Sequence, residues 1–150
     1  MLALRRFLRH SPRRAAAVAF GLSTALLTHF AWYPNARMSG MMPALTLTAG
    51  LAHAVGGAIT GPRLIDATRT SLQAALLGAA TSFIALVIFA LALATYVSAT
   101  NAPQSNPLAY LVLTLFTGLF AFLGAGWALL LLSVAVGWGL HRVASSSAAA

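Results

Sequence analysis

The sequence predicts an all-α membrane protein in which four transmembrane helices form an up-and-down bundle with both termini in the cytoplasm. Hydrophobic residues make up 60% of its 150 residues and charged residues only 7%, whereas about a quarter of the residues in a soluble domain are charged. The apolar residues fall into four long runs separated by short polar stretches. Threaded through a bilayer, these runs leave eight of the nine arginines on one side, which is the asymmetry expected of cytoplasmic loops.

The chain divides into a basic leader, a membrane bundle and a short tail. Residues 1–14 are expected in the cytoplasm or at the interface, and residues 144–150 are small and have nothing to bury. Residues 15–143 form the bundle. Its predicted spans are about 15–33, 41–61, 71–99 and 108–140.

Local signals mark where these helices begin and end. Ser11-Pro12 and Asn106-Pro107 each place a capping side chain before a proline, the order typical of a helix N-terminus. Trp32 and Tyr33 follow the first run, as expected where a span reaches the far interface. Gly61-Pro62 is expected to end the second helix.

The third and fourth runs are too long to cross a bilayer upright. They measure roughly 43 and 50 Å at 1.5 Å per residue, against a hydrocarbon core of about 30 Å. Tilt, a bend near residues 124–126, or projection beyond the bilayer would each accommodate the excess. Projection would leave Leu93–Tyr96 and Tyr110–Phe116 outside lipid, where apolar side chains need protein cover, and would therefore imply a partner.

The charged residues indicate a membrane surface and not a nucleic-acid site. Arginines expected at anionic lipid headgroups are Arg5, Arg6, Arg9, Arg13, Arg14, Arg63 and Arg69. Asp66 can pair with Arg63 and Arg69 at i, i+3 spacing and lies outside any span, while His10 and His141 are expected to be solvated beside arginines. Arginine and alanine usage without lysine fits a bacterial gene, hence a multi-pass protein of the bacterial inner membrane.

Small side chains form two rows that favour close helix packing. On the second span Ala49, His53, Gly57 and Gly61 follow one another at i, i+4 spacing, and the two glycines make a GxxxG pair. On the first span Gly21 and Ala25 lead to His29 in the same spacing. The sequence therefore predicts that these residues face another helix or a flat cofactor.

His53 and His29 are the ionisable side chains expected inside spans, where such groups are functional candidates. Each follows an alanine four residues earlier, which leaves room for a tetrapyrrole ring whose metal takes an axial imidazole. The pairs Ala25–His29 and Ala49–His53 resemble the Ala-x-x-x-His pigment-ligating element of antenna polypeptides. That resemblance, which covers five residues at a time and lacks the single-span antenna pattern, implies a chlorophyll-type pigment or haem.

Two readings of these histidines stay open. A haem held between both is disfavoured, because His53 is expected deep in its span and His29 close to the outer end. One interpretation left open is that the two histidines hold separate ligands. The other is that one of them is a neutral imidazole hydrogen-bonded to a neighbouring Thr or Ser.

The sequence offers no catalytic set and no metal site. One Asp or Glu, no cysteine, and histidines without a companion carboxylate leave no acid–base pair and no activated nucleophile. We therefore expect a small non-catalytic subunit that packs against larger membrane proteins and binds lipid, in an energy- or electron-transfer complex if His53 or His29 holds a tetrapyrrole. An enzymatic role is expected only as part of a larger enzyme complex. The alternative is a small transporter, channel or lipid-handling component.

Overall fold

A computed structural model describes residues 10–32, 42–66, 68–100 and 106–146 of the chain, and its secondary-structure elements are all helices. Helix α1 is Pro12–Trp32, α2 is Met42–Leu64 and α3 is Ser71–Thr100. A continuous helical run then comprises α4 (Pro107–Ala121), a π-helical turn (Phe122–Gly126) and α5 (Trp127–Ser145). The predicted helical class is confirmed. Arg5, Arg6, Arg9, the rest of residues 1–9, and residues 147–150 of the predicted tail lie outside the described residues.

Three of these helices are long and apolar enough to cross a membrane. They are Pro43–Leu64, Ser71–Ala99 and the 39-residue run Pro107–Ser145. The chain is therefore a multi-pass membrane protein. Helix α1 corresponds to the first predicted span and has 21 residues, with Arg13 and Arg14 in its first turn.

Most helix boundaries follow from local chemistry. The Asn106 side chain accepts a hydrogen bond from the Leu108 backbone N–H at 2.9 Å, so the predicted cap of α4 is confirmed. Helix α3 begins with a reciprocal pair that the sequence analysis missed, in which Thr70 Oγ1 accepts from Gln73 N and Gln73 Oε1 accepts from Thr70 N. This is the capping-box arrangement, and its Thr-x-x-Gln signature is present in the sequence.

The predicted end of α2 at Gly61-Pro62 is wrong. The helix continues to Leu64 with Pro62 inside it. A proline near the helix end removes one backbone hydrogen bond, but the residues after it can still donate to earlier carbonyl groups. The Ile65 backbone N–H donates to the Gly61 carbonyl oxygen at 3.3 Å, which closes that turn.

Helices α1 and α2 approach each other at glycines. A Cβ added at Gly57 would lie 2.8 Å from both the Ala16 carbonyl oxygen and the Phe20 ring, and one added at Gly61 would lie 2.8 Å from the Pro12 carbonyl oxygen. Such distances leave no room for a side chain, so the two backbones are in direct contact.

A second crossing of the same kind joins α3 to α5. A Cβ at Gly78 would collide with the Ser133 carbonyl oxygen, and one at Gly137 would lie 2.9 Å from the Ala74 carbonyl oxygen. Between the two crossings, α2 packs on α3 with a hydrogen bond of 2.7 Å between the Thr60 and Thr81 hydroxyls. The bundle is thus two glycine-rich helix pairs joined along the contact between α2 and α3.

One end of the bundle, which we call the level end, holds the first turns of α1 and α3 and the last turns of α2 and α5. At the level end, Ala16, Phe20, Leu64 and Ala74 form the buried apolar cluster. Helices α1 and α2 are about 31 and 34 Å long, whereas α3 is about 45 Å long. Counted from the Thr60–Thr81 contact, α3 has six residues more than α2 towards the level end and one more towards the far end. Towards its far end α3 contacts α4, where Tyr110 Oη lies 2.8 Å from Thr95 Oγ1.

Candidate functional site

A cavity of about 100 Å³ lies among α2, α3 and the π-helical turn. Apolar side chains and one threonine form most of its wall, and two further polar side chains, His53 and Ser82, stand at one end. The apolar part of its lining comes from α2 and α3 (Leu45, Ala49, Phe83, Ala85, Leu86, Phe89) and from the helical run (Ala121, Phe122, Ala125, Gly126, Leu129, Leu130). Thr28 of α1 completes it.

His53 is held in one orientation by its own helix. Its Nδ1 atom lies 3.1 Å from the Ala49 carbonyl oxygen and donates to it, since a carbonyl can only accept. In the neutral imidazole Nε2 is then the acceptor. It lies 3.5 Å from the Ser82 hydroxyl on α3, as in the reading that bonds His53 to a neighbouring Thr or Ser.

The π-helical turn shapes the wall opposite His53. A π turn contains one residue more than an α-helical turn, so it widens the helix locally and offsets the side chains before and after it. Here Ala125 and Gly126 come from this turn and border the cavity together with Phe122, whereas Gly124 does not line it. The small side chain of Ala125 therefore leaves part of the space that the cavity occupies.

The predicted row of small residues on α2 divides between two neighbours. Residues four apart on a helix drift by about 40° per step, so Ala49 and Gly61 differ by about 120° in direction. Accordingly Gly57 and Gly61 face α1, whereas Ala49 and His53 line the cavity. On α1, Gly21 lies against Ala54 and Gly50, and the Ala25 Cβ would lie 3.2 Å from a Cβ at Gly50.

His29 lies apart from this site. Its side chain is exposed near the end of α1, with its ring edge-on to Phe30 at 5.6 Å between centroids. In the antiparallel register that brings Ala25 to Gly50, His29 lies level with a residue near Thr46, about 10 Å from His53 along the axis. The structure does not bring the two histidines together on one ligand.

The cavity is narrow for a tetrapyrrole. Pockets that enclose drug-sized ligands measure about 300–1,000 Å³, and the His53 Nε2 atom, which would have to reach the metal, is directed at Ser82. A macrocycle would require α2 and α3 to separate at this point. The site as it stands fits a slender ligand better than a ring system.

The arginines among the described residues lie at the level end of the bundle. Arg13, Arg14 and Arg63 are exposed, and the Arg142 guanidinium lies 4.6 Å from the centre of the Trp138 ring. The expectation that His141 is solvated is wrong, because it is buried and its Nδ1 atom lies 3.3 Å from the Leu64 carbonyl oxygen. His10 is exposed, as expected.

Asp66 lies in the connection between α2 and α3. Its carboxylate accepts hydrogen bonds from the Thr68 hydroxyl at 2.7 Å and the Thr68 backbone N–H at 3.0 Å. These two bonds, with the charges of Arg69 and His141 nearby, lower the pKa of the Asp66 carboxyl. The pairing expected with Arg69 is present but long, at 3.9 Å between Arg69 Nε and Asp66 Oδ2.

Comparison of the chain with protein-family models, curated proteins and solved structures gave no match.

Proposed function

We propose that this protein is a small non-catalytic subunit that binds a larger membrane protein through the far end of the hairpin formed by α3 and α4. The supporting observation is the length of the apolar run from Pro107 to Ser145, whose 39 residues exceed the thickness of the hydrocarbon core. We name Thr95–Thr100 and Pro107–Leu115, the residues nearest the connection between α3 and α4, the hairpin tip.

The exposed side chains on the α4 part of the hairpin tip are apolar. Helix α4 has no buried residue, and the exposed fractions of Leu108, Leu111 and Leu115 are 66%, 53% and 64%. Lipid solvates such side chains only within the bilayer. The 39-residue run is about 58 Å long, and even at a tilt of about 40° a straight run would span about 45 Å, more than the hydrocarbon core. This excess length supports the proposal that protein covers part of this apolar surface.

The proposed membrane arrangement uses four spans. Helix α1 crosses beside α2, and the level end, with Arg13, Arg14 and Arg63, lies at the cytoplasmic surface of a bacterial inner membrane. The hairpin tip then lies on the opposite side. Support comes from the exposure of these arginines and from the excess of arginine in cytoplasmic segments.

The test compares two matched leucine pairs in the full-length protein, purified from its own membranes in mild detergent. Leu111 and Leu115 are exposed at i, i+4 spacing on the hairpin tip, and Leu22 and Leu26 are equally exposed at the same spacing on α1. We expect Leu111→Ala/Leu115→Ala to weaken co-purification of the partner at least about tenfold, because truncating buried interface side chains costs about 1–2 kcal/mol each.

The variant Leu22→Ala/Leu26→Ala should retain the partner. A photo-crosslinking amino acid at Phe116, exposed on α4, should join the chain to the protein that mass spectrometry identifies in the complex. Equal loss from both leucine pairs, or a chain that purifies alone from native membranes and crosslinks only to lipid, would contradict the proposal.

A lipid-handling component is the second candidate, and the cavity beside the π-helical turn favours it. Such a component should move lipid or solute between reconstituted vesicles without a partner, and a bulky residue at Ala125 should slow that movement. The subunit proposal predicts no such transfer.

A further inference from the structure

The cavity beside the π-helical turn carries complementary hydrogen-bonding groups at its polar end. His53 and Ser82 are only 4% and 6% exposed, and both line the cavity. Because Nδ1 of His53 donates to its own helix, Nε2 is left as an acceptor, while the Ser82 hydroxyl is a donor. A buried donor and acceptor thus stand side by side.

His53 Nε2 and the Ser82 hydroxyl form only a long, weak hydrogen bond with each other. Their separation is 3.5 Å, whereas a good hydrogen bond of this kind measures about 2.8–3.0 Å. Buried polar groups without good partners are costly, and more so where no water is at hand. A third group that donates to Nε2 and accepts from Ser82 Oγ would satisfy both at once. A hydroxyl has this combination.

We propose that the cavity binds a neutral, slender, apolar ligand with a hydroxyl head, whose oxygen lies between His53 and Ser82 and whose hydrocarbon portion lies along the apolar wall. Among the described residues, the lining contains no arginine and no carboxylate, so a charged carboxylate or phosphate head would be buried there without a counter-ion. From His53 to Leu45 the wall extends two helical turns, about 12 Å. This inference does not depend on a protein partner.

The test uses photoaffinity labelling of the full-length protein in detergent by a long-chain alcohol that carries a diazirine. Competitors of equal length are 1-decanol, decyl methyl ether, which cannot donate a hydrogen bond, and decane. We expect 1-decanol to compete about tenfold better than the ether, the factor that one buried hydrogen bond supplies. The labelled peptides should come from the cavity wall, at Phe89 and Ala125.

Matched variants separate the cavity from the general apolar surface. Ala125→Leu should abolish labelling of the wall by filling the cavity, whereas Gly124→Leu adds a side chain of the same size in the same turn, where nothing lies within 4 Å of its Cβ, and should not. His53→Leu should remove the preference for the alcohol. The control His29→Leu changes an exposed histidine and should keep it.

Ser82→Ala serves if His53→Leu fails to fold, because it removes only the donor to the ligand oxygen. It should lower the preference for the alcohol over decane about tenfold and keep the preference over the ether, whose oxygen also accepts from Ser82. Equal competition by alcohol, ether and alkane would overturn the inference. So would unchanged labelling in Ala125→Leu, or no competition by any of the three, which would mean that only water or detergent enters. A Soret absorbance of the purified protein that His53→Leu abolishes would also overturn it, since Nε2 would then hold a metal.

Discussion

At the scale of single residues, the bundle depends on a few positions where two backbones touch. Gly57 on α2 and Gly78 on α3 are two of them, because a Cβ at either would meet a carbonyl oxygen of the neighbouring helix. Helix association in lipid gains little from the hydrophobic effect and relies on close packing of this kind. Loss of a methyl-sized space should therefore be felt directly in stability.

Gly57→Ala should lower the free energy of unfolding by about 1–3 kcal/mol, because the added Cβ would force α1 away from α2. Unfolding in mixed micelles, followed by circular dichroism, measures it. The control is Gly139→Ala, where nothing lies within 4 Å of the new Cβ and helix propensity improves by about 1 kcal/mol. If both variants have the same stability, the close contact seen at Gly57 does not limit packing.

Thr60→Val should lower the free energy of unfolding by about 0.5–1 kcal/mol, the usual contribution of an interhelical hydrogen bond in a membrane. The Thr60 hydroxyl lies 2.7 Å from that of Thr81, so a double-mutant cycle with Thr81→Val should return the same coupling energy. Thr48→Val is the control, since its hydroxyl bonds back to Ala44 of its own helix. A coupling energy of zero would mean that the two hydroxyls do not join α2 to α3.

Single residues also show which contacts the local sequence does not predict. His141 was expected in water because arginine follows it, yet it bonds to the Leu64 carbonyl on another helix. That partner is 77 residues away along the chain, and no local pattern encodes such a contact. The reciprocal cap of Thr70 and Gln73, in contrast, follows from a local Thr-x-x-Gln pattern.

At the scale of elements, the apolar runs predicted the helices well, and the differences concern their ends and their regularity. The predicted limits of 71–99 and 108–140 agree with α3 and with the run from α4 to α5 to within a few residues. The π-helical turn was not foreseen, because one extra residue inside an apolar run leaves the composition unchanged. It falls at residues 122–126, where the glycines suggested a bend.

The connection between α2 and α3 gives a prediction about pH. The Thr68 hydroxyl is the first cause of the lowered pKa of Asp66, so Thr68→Val should raise that pKa towards its ordinary value. A carboxyl whose pKa is lowered in the folded state stabilises that state above the unfolded pKa of about 3.9, and this contribution is lost as the pH falls through the folded pKa. The variant should therefore lose less stability on acidification.

Carbon-13 NMR can follow Asp66 without ambiguity, because it is the only Asp or Glu in the chain. Thr70→Val is the control, since it removes the cap of α3 and should leave the pKa of Asp66 unchanged. An identical Asp66 titration in Thr68→Val and the unaltered protein would contradict this account.

At the scale of the whole molecule, side-selective labelling tests the proposed orientation. The chain contains no cysteine, so each introduced cysteine is a single reporter. In spheroplasts of a host that lacks the partner, an impermeant maleimide should label Leu108→Cys, on the proposed outer side, and should label Ser146→Cys only after permeabilisation. Labelling of both from outside would refute the arrangement of four spans with cytoplasmic termini.

The same reporters distinguish projection from tilt. If the hairpin tip projects, Leu111→Cys should react with the water-soluble reagent in the absence of partner and be protected in its presence. The matched control Leu22→Cys lies on the surface of α1 that is proposed to face lipid and should react in neither case. Unreactive Leu111→Cys in the absence of partner would show that tilt keeps the whole run in lipid.

The packing of the two glycine-rich pairs also bears on how the molecule can deform. Within each pair the backbones touch, so separating α1 from α2 or α3 from α5 would require many contacts to break together. Between the pairs, α2 meets α3 at the Thr60–Thr81 hydrogen bond and then along the cavity, while the buried apolar cluster and the His141–Leu64 hydrogen bond join the pairs at the level end. We therefore expect a guest molecule to enter from the bilayer by separation of the two pairs on the cavity side, with the level end as the hinge.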